Sequence, residues 1–366
     1  MSHTYVVKTN RQKLLKLSKH KDIDLTLIAP HEWKHELKTY QLKKGHSENF
    51  DVIPLKTMLN GRISLYFYPT LHKLFHKMKP DIVHIEEEPW AFSTFQAMGF
   101  KKISGSKTLF FTWENVYRAH WPPFSFFERY VLKHADRAIA GNLEGRKVLL
   151  RKGFRKPIDV LPQLGVDPEL FKKGDGISLR EKLGVTDFTI GYVGRLVREK
   201  GVLTLVEAAA KLKRDFSVLL VGKGKLKQDI IKLSRKLGIA DKIKFVDTVS
   251  HKEVPQYLNC MDCLVLPSLT TPQWKEQFGH VLIEAMSCEV PVIGSDSGEI
   301  PNVIADAGLV FREGDVKQLA ERLSLLIEDV KRRKELAKKG RRRVLENYTW
   351  EKIADKTYEI YQKMLE

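Results

Sequence analysis

The chain has 366 residues, 43% of them hydrophobic, enough to bury sizeable cores in two or three domains. Its 63 Lys and Arg against 45 Asp and Glu give a formal net charge of +18, which points to an acidic partner: a phosphate-bearing ligand, an anionic membrane or nucleic acid. Three cysteines exclude a disulfide framework, and no apolar run approaches the roughly 18 residues of a membrane span. Cys260 and Cys263 form a lone C-x-x-C without a second zinc-spaced pair, so all three thiols are read as reduced packing residues. The opening "MSHTYVVKTNRQKLLK" lacks the apolar core of a signal peptide, and a cytoplasmic location is expected.

In chain order, residues 3–7 come first and precede the helix-like "TNRQKLLKLSKH". With one apolar cluster, Tyr5-Val6-Val7, they make a poor central strand. The first strand of a doubly wound sheet is central, so the sequence is expected to start about one strand late. Apolar runs then predict strands at 25–29, 52–55, 81–85, 108–112, 138–141 and 159–161. After "LPQLGVDPELFKKGDGIS" at 161–178, rich in turn residues, further strands are predicted at 189–193, 217–221, 244–246, 264–267, 292–294 and 309–311. Most are apolar throughout, as in strands buried on both faces of a parallel sheet. The segments between, such as "KGVLTLVEAAAKLKR", have helical spacing. Strand–helix alternation that occurs twice predicts an α/β fold of two doubly wound domains facing across a cleft.

Residues 1–170 hold 28 basic against 17 acidic residues, and 171–366 hold 35 against 28. Aromatics lie among cations in "LYFYPTLHKLFHKMK" and "YRAHWPPFSFFERYVLKH", a mixture that suits an anionic membrane surface. The late "KRRKELAKKGRRRVLENYTW" reads as a solvated helix face.

Chemistry concentrates in the second half. In "TIGYVGRLVREKG" a strand ends at Gly194, followed by Arg195 and by Lys200 at the mouth of a helix, where two cations can neutralise a diphosphate. The next strand ends in Gly222 and Gly224, which let backbone approach a ligand. Neither a G-x-G-x-x-G after a first strand nor a Walker loop is present. In "KEQFGHVLIEAMSCEVPV", Phe278-Gly279 opens a helix whose N-terminus attracts phosphate oxygens. Glu276 and Glu284 flank that opening, and eight helical positions would separate them by about 12 Å, too far to share a proton. They are read as acceptors for hydroxyl groups at different points of one ligand, and a nucleotide sugar combines such hydroxyls with anions. The turn Ser295-Asp-Ser297-Gly298 can add an amide nest.

These residues resemble the retaining glycosyltransferases of family 4, which have the GT-B fold. The resemblance runs from about residue 20 to the end and includes "VGRLVREKG", "LPSLTTP", "EQFGHVLIEAMSCEVPV", "SGEIPNVI", "AGLVF" and "YTWEKIA". It implies GT-B: a Rossmann-like acceptor domain at 1–165 without its first strand, a donor domain at 166–349, and a terminal helix at 350–366 packed on the first. It implies Arg195 and Lys200 on the donor diphosphate, Glu276 on the transferred sugar and Glu284 on the ribose. Gly194, Gly222, Gly224, Gln277, Phe278, Gly279, Ser297 and Gly298 would cradle the donor, with backbone near Val249 meeting the base. No metal or other cofactor is implied. Two departures stand out: Glu289 replaces a helix-end glycine, where positive φ is favoured, and Glu114 or Asn115 stands where relatives carry a histidine. The expected function is retaining transfer from a nucleotide sugar to a lipid-linked or glycan acceptor, in the cytoplasm or at the inner membrane face. A nucleotide-sugar epimerase or phosphorylase is the enzyme alternative. A basic nucleic-acid-binding protein is the other class, without a recognisable motif for it.

Overall fold

The computed structural model describes residues 1–35, 38–43, 45, 48–185 and 187–366, with His35 and Lys102 described by backbone alone. The chain divides into two compact units, Met1–Gly165 with Trp350–Glu366, and Val166–Thr349.

In the first unit β1 (Thr26–Pro30) is followed by an antiparallel hairpin, β2 (Glu32–His35) and β3 (Lys38–Gln41), and then by β4 (Asp51–Leu55), which pairs parallel with β1. A separate parallel sheet holds β5 (Ile82–Ile85), β6 (Lys107–Thr112), β7 (Arg137–Ala140) and β8 (Ile158–Val160), in that order. Residues 4–6 form a short 3₁₀ turn, not a strand. Met1 alone lies along β5: its amino group donates to the His84 carbonyl at 2.6 Å, and its carbonyl accepts from the Glu86 N–H at 2.9 Å. The apolar runs at β5–β7 have both faces covered. Val83, Ile85, Phe110 and Ala138 pack on one side. Leu109, Phe111 and Ile139 meet Ile353, Ile360 and Met364 of helix Trp350–Leu365 on the other. Each such large side chain contributes about 1.5–3 kcal/mol when fully buried.

Tyr66, Tyr68, Leu71 and Phe75 are core, so the aromatics of the 66–78 segment are withdrawn from the surface that the sequence suggested. The 117–130 segment does expose apolar surface: Trp121 is 84% exposed, with Tyr117 and Phe126 also open.

The second unit is one parallel sheet: β9 (Phe188–Val193), β10 (Phe216–Val221), β11 (Ile243–Val246), β12 (Cys263–Leu266), β13 (Val292–Ser295) and β14 (Leu309–Phe311). The spatial order is β11-β10-β9-β12-β13-β14, so the order reverses between β9 and β12 and opens a crevice at their carboxyl ends. Asp329 caps the basic helix Val330–Asn347, which buries Leu336, Gly340 and Val344. The helix is not wholly the solvated face that the sequence suggested, because Arg341 donates to the Phe171 and Ser287 carbonyls and Arg343 to that of Val303. Cys260, Cys263 and Cys288 are buried free thiols.

Candidate functional site

Three strand-end loops of the second unit converge on Glu276. The loop after β9 carries Arg195 and the 3₁₀ turn Arg198–Lys200. Gly201 has φ +65°, and a Cβ there would fall 1.8 Å from the Pro267 carbonyl oxygen, so this loop must run against the end of β12. The Leu269 N–H donates to the Glu199 carbonyl at 2.8 Å and ties the two together. The loop after β12 holds Ser268 and Glu276, and the Ser268 hydroxyl donates to Glu276 Oε2 at 2.8 Å. Lys200 Nζ reaches the same oxygen at 2.5 Å and lies 4.9 Å from the Trp274 ring centre. The turn after β13 closes the group. Gly298 has φ +56°, and a Cβ would meet the Glu276 carbonyl at 2.0 Å. The Glu299 N–H donates to that carbonyl at 3.1 Å, while the Ser297 and Thr270 hydroxyls meet at 3.0 Å. Glu276 is therefore buried and held from three sides.

Helix His280–Ser287 begins beside it. Gly279 precedes the helix at φ +77°, where a Cβ would crowd Leu266 at 2.7 Å. Phe278 is buried edge-on against Tyr348, and Gln277 is exposed. Glu284, in the second turn, is buried and accepts from His251 Nε2 at 2.8 Å and from His280 Nδ1 at 3.1 Å. Burial alone would raise its pKa, but the two imidazoles outweigh it and hold the carboxyl down to about 2. His251 lies two residues beyond Val249, in the loop after β11.

The residues read from sequence thus occupy different situations. Glu276, Lys200, Phe278, Gly279, Ser297 and Gly298 come together. Arg195 is 67% exposed and pairs with Glu199 at 3.7 Å. Gly222 and Gly224 have a packing reason of their own: Cβ atoms there would strike the carbonyl oxygens of Gly194 and Leu196 at 2.0 and 2.1 Å. Glu289 does adopt the left-handed conformation, φ 58°. Sequence reasoning missed His251, His280, Ser268 and Trp274. Only the F-G-H spacing, which puts His280 one helical turn before Glu284, signalled any of them.

In the first unit the ends of β5 and β6 carry buried acids. Glu86 binds Lys13 and accepts from the Tyr5 hydroxyl at 2.5 Å and from Gln163 at 3.0 Å. Glu87 meets His3 and the Tyr66 hydroxyl, both at 2.7 Å. Burial pushes Glu88 up to about 7, although the Thr112 hydroxyl and the Trp113 N–H both donate to it. Glu114 and Asn115 follow β6. Glu114 is not open to a ligand: Lys152 Nζ bridges it at 2.6 Å and Glu128 at 2.5 Å, with His120 Nε2 3.3 Å from its other oxygen. Glu114, His120 and Glu128 are grouped closely enough for a cation, and the Lys152 ammonium already supplies positive charge there. Asn115 is buried.

Residues 177–343 match the family model for glycosyl transferases group 1, and residues 14–170 match that for Glycosyltransferase Family 4. The chain belongs to the family 4 glycosyltransferases. It is similar to the GDP-mannose-dependent monoacylated alpha-(1-6)-phosphatidylinositol monomannoside mannosyltransferase of Corynebacterium glutamicum, at 31% identity over 57% of this chain. The match spans 57% of that relative's length. It is also similar to the alpha-D-kanosaminyltransferase of Streptomyces kanamyceticus, at 26% identity over 92% of this chain and 94% of the relative. Among solved structures, Anabaena Alr3699/HepE in complex with UDP superposes with a TM-score of 0.74 at 19% identity, over 97% of this chain and 96% of that one. That likeness gives this family member the GT-B fold.

Proposed function

We propose that this family 4 protein is a retaining glycosyltransferase that moves a sugar from a nucleoside-diphosphate sugar to an acceptor hydroxyl. The observation that carries the reading is the convergence of Lys200, Glu276, Ser268 and the start of helix His280–Ser287 at the crevice of the second unit's sheet. Relatives are named for GDP-mannose dependence or were crystallised with UDP, which supports a nucleotide-sugar donor.

In this reading the diphosphate lies at Arg195, Lys200 and the helix N-terminus, the ribose at Glu284, and the transferred sugar at Glu276. Val249 and the loop bearing His251 meet the base. As the bond from sugar C1 to the phosphate oxygen breaks, negative charge grows on the β-phosphate, and preorganised positive groups there stabilise the transition state most. The acceptor oxygen bonds to C1 from the same face, and its proton passes to the departing phosphate. Lys200 must share itself between Glu276 and the phosphate, so donor binding loosens their ion pair. Glu284 must likewise exchange an imidazole for ribose hydroxyls. The first unit would take the acceptor, with Glu114 and Asn115 shaping its floor through Lys152. No metal or other cofactor is required. The exposed Trp121, Tyr117 and Phe126, beside Arg118 and Arg129, would rest on an anionic membrane where a lipid-linked acceptor lies.

The test is a thermal-shift panel of UDP-, GDP- and ADP-sugars, followed by acceptor screening and NMR of the product. A ligand at 100 times its Kd stabilises by about 2.7 kcal/mol. Absence of any shift, or a product of inverted anomeric configuration, refutes the reading. Conversion of the donor without an acceptor favours the epimerase instead.

A further inference from the structure

Trp274 is a large aromatic side chain in an otherwise polar loop, "TTPQWKEQ", and it is only half-buried there. Among the described residues no other ring pairs with it, and the group over its face is the Lys200 ammonium, 4.9 Å from the ring centre. Backbone rather than side-chain packing sets its place. The Thr271 N–H donates to the Trp274 carbonyl at 2.8 Å, and the Trp274 N–H returns a bond to the Thr271 carbonyl at 3.3 Å. Pro272, inside the turn so closed, fixes its own φ. The stem of the turn is strapped on two sides. The Thr270 N–H donates to the Glu313 carboxylate at 2.6 Å, and the Leu269 N–H to the Glu199 carbonyl at 2.8 Å. The second strap ties the loop to the 3₁₀ turn that carries Lys200, so ring and ammonium share one junction.

Lys200 thus has two attachments of different kinds. Glu276 Oε2 accepts from the ammonium at 2.5 Å. An incoming phosphate oxygen competes with that carboxylate for the same N–H groups. The indole face attracts the ammonium through the ring quadrupole, most strongly of all side-chain rings, and asks for no particular N–H. It can keep its hold while the three N–H donors of the lysine change partner. Without the ring, a lysine released by Glu276 would regain the rotamer freedom of a long side chain and lose it again on the phosphate.

We infer that Trp274 is a positioning residue: its ring holds the Lys200 ammonium in place while the ammonium exchanges Glu276 for a diphosphate. Glu276 is then released to hydroxyl groups of the ligand, and Lys200 is not lost to solvent. The inference rests on the donor reading above and adds to it a residue outside the two-glutamate segment.

Tryptophans with one to four ring fluorines are placed at position 274 alone by nonsense suppression. Fluorine withdraws charge from the ring face with little change of shape, so a merely packing role would not respond to it. In the ligand-free protein, acetylation of Lys200 by acetic anhydride, read by mass spectrometry, should quicken with each fluorine, to about 5-fold at four. UDP, GDP and ADP are titrated by calorimetry, and whichever binds should lose affinity in the same order, again by about 5-fold. Trp274→Phe should fall between the parent and Trp274→Leu in both measurements. Acetylation that stays flat across the fluorine series overturns the inference. Graded acetylation with flat nucleotide affinity overturns it as well, because the ring would then hold Lys200 without bearing on the diphosphate. If none of the three nucleotides binds the parent protein, the donor reading falls, and the acetylation series alone decides whether the ring holds Lys200.

Discussion

Replacing Lys200 with methionine tests whether one side chain serves both folding and chemistry. The variant keeps the stem and removes the ammonium 2.5 Å from Glu276 Oε2. The side chains of the pair are 17% and 8% exposed, so water can do little for the stranded carboxylate. The Ser268 hydroxyl, at 2.8 Å, still donates to that oxygen. Breaking a buried pair from one side costs about 3–5 kcal/mol, and the partial opening here favours the lower end, about 3 kcal/mol. For a unit of this size that lowers Tm by about 6–12 °C. Loss of a preorganised cation should also cut turnover by about 10²-fold or more. The two effects separate in Lys200→Met with Glu276→Gln, which leaves no unpaired charge. Urea unfolding should show most of the stability restored, while initial rates with the active donor stay low. Parent-like turnover in Lys200→Met would refute the diphosphate role. Failure of the double variant to regain stability would refute the ion-pair argument.

The two imidazoles hold the Glu284 pKa at about 2, below the ordinary carboxylate value of about 4.5, so its stabilisation is complete above about pH 4.5 and is lost as pH falls toward 2. Between those limits the parent should lose about 3 kcal/mol more than Glu284→Gln in urea titrations, and parallel curves would contradict it. Gly222→Ala should cost at least about 3 kcal/mol, because its Cβ would meet the Gly194 carbonyl at 2.0 Å. Gly238→Ala, with φ +71° and nothing within 4 Å, should cost only about 1 kcal/mol, and equal losses by chemical denaturation would show that strain rather than contact decides. Trp121→Ala with Phe126→Ala should weaken flotation with anionic vesicles, with parental binding fading as salt rises. Salt-independent binding, or none by the parent, removes the membrane role.

Much of this protein is legible in its sequence because parallel strands buried on both faces are written as unbroken apolar runs. Runs such as those at 189–193 and 217–221 need no knowledge of their partners. Strand ends followed by glycine and cations mark the loops for the same local reason. The hairpin of β2 and β3 escaped notice: "EWKH" and "KTYQ" bury Trp33 but present mostly polar side chains, and pairing rather than composition makes them strands. Aromatics at 66–78 and at 117–130 look alike in sequence, and only packing sends the first group into the core and leaves Trp121 outside. The pairing of Lys200 with Glu276 crosses 76 positions, and that of His251 with Glu284 crosses 33. Periodicity reports how each residue meets its own strand or helix, whereas such pairs depend on which loops the sheet order brings together. That order, with β9 beside β12, is a property of the folded sheet, and it makes Glu276 a junction rather than one acid in a loop.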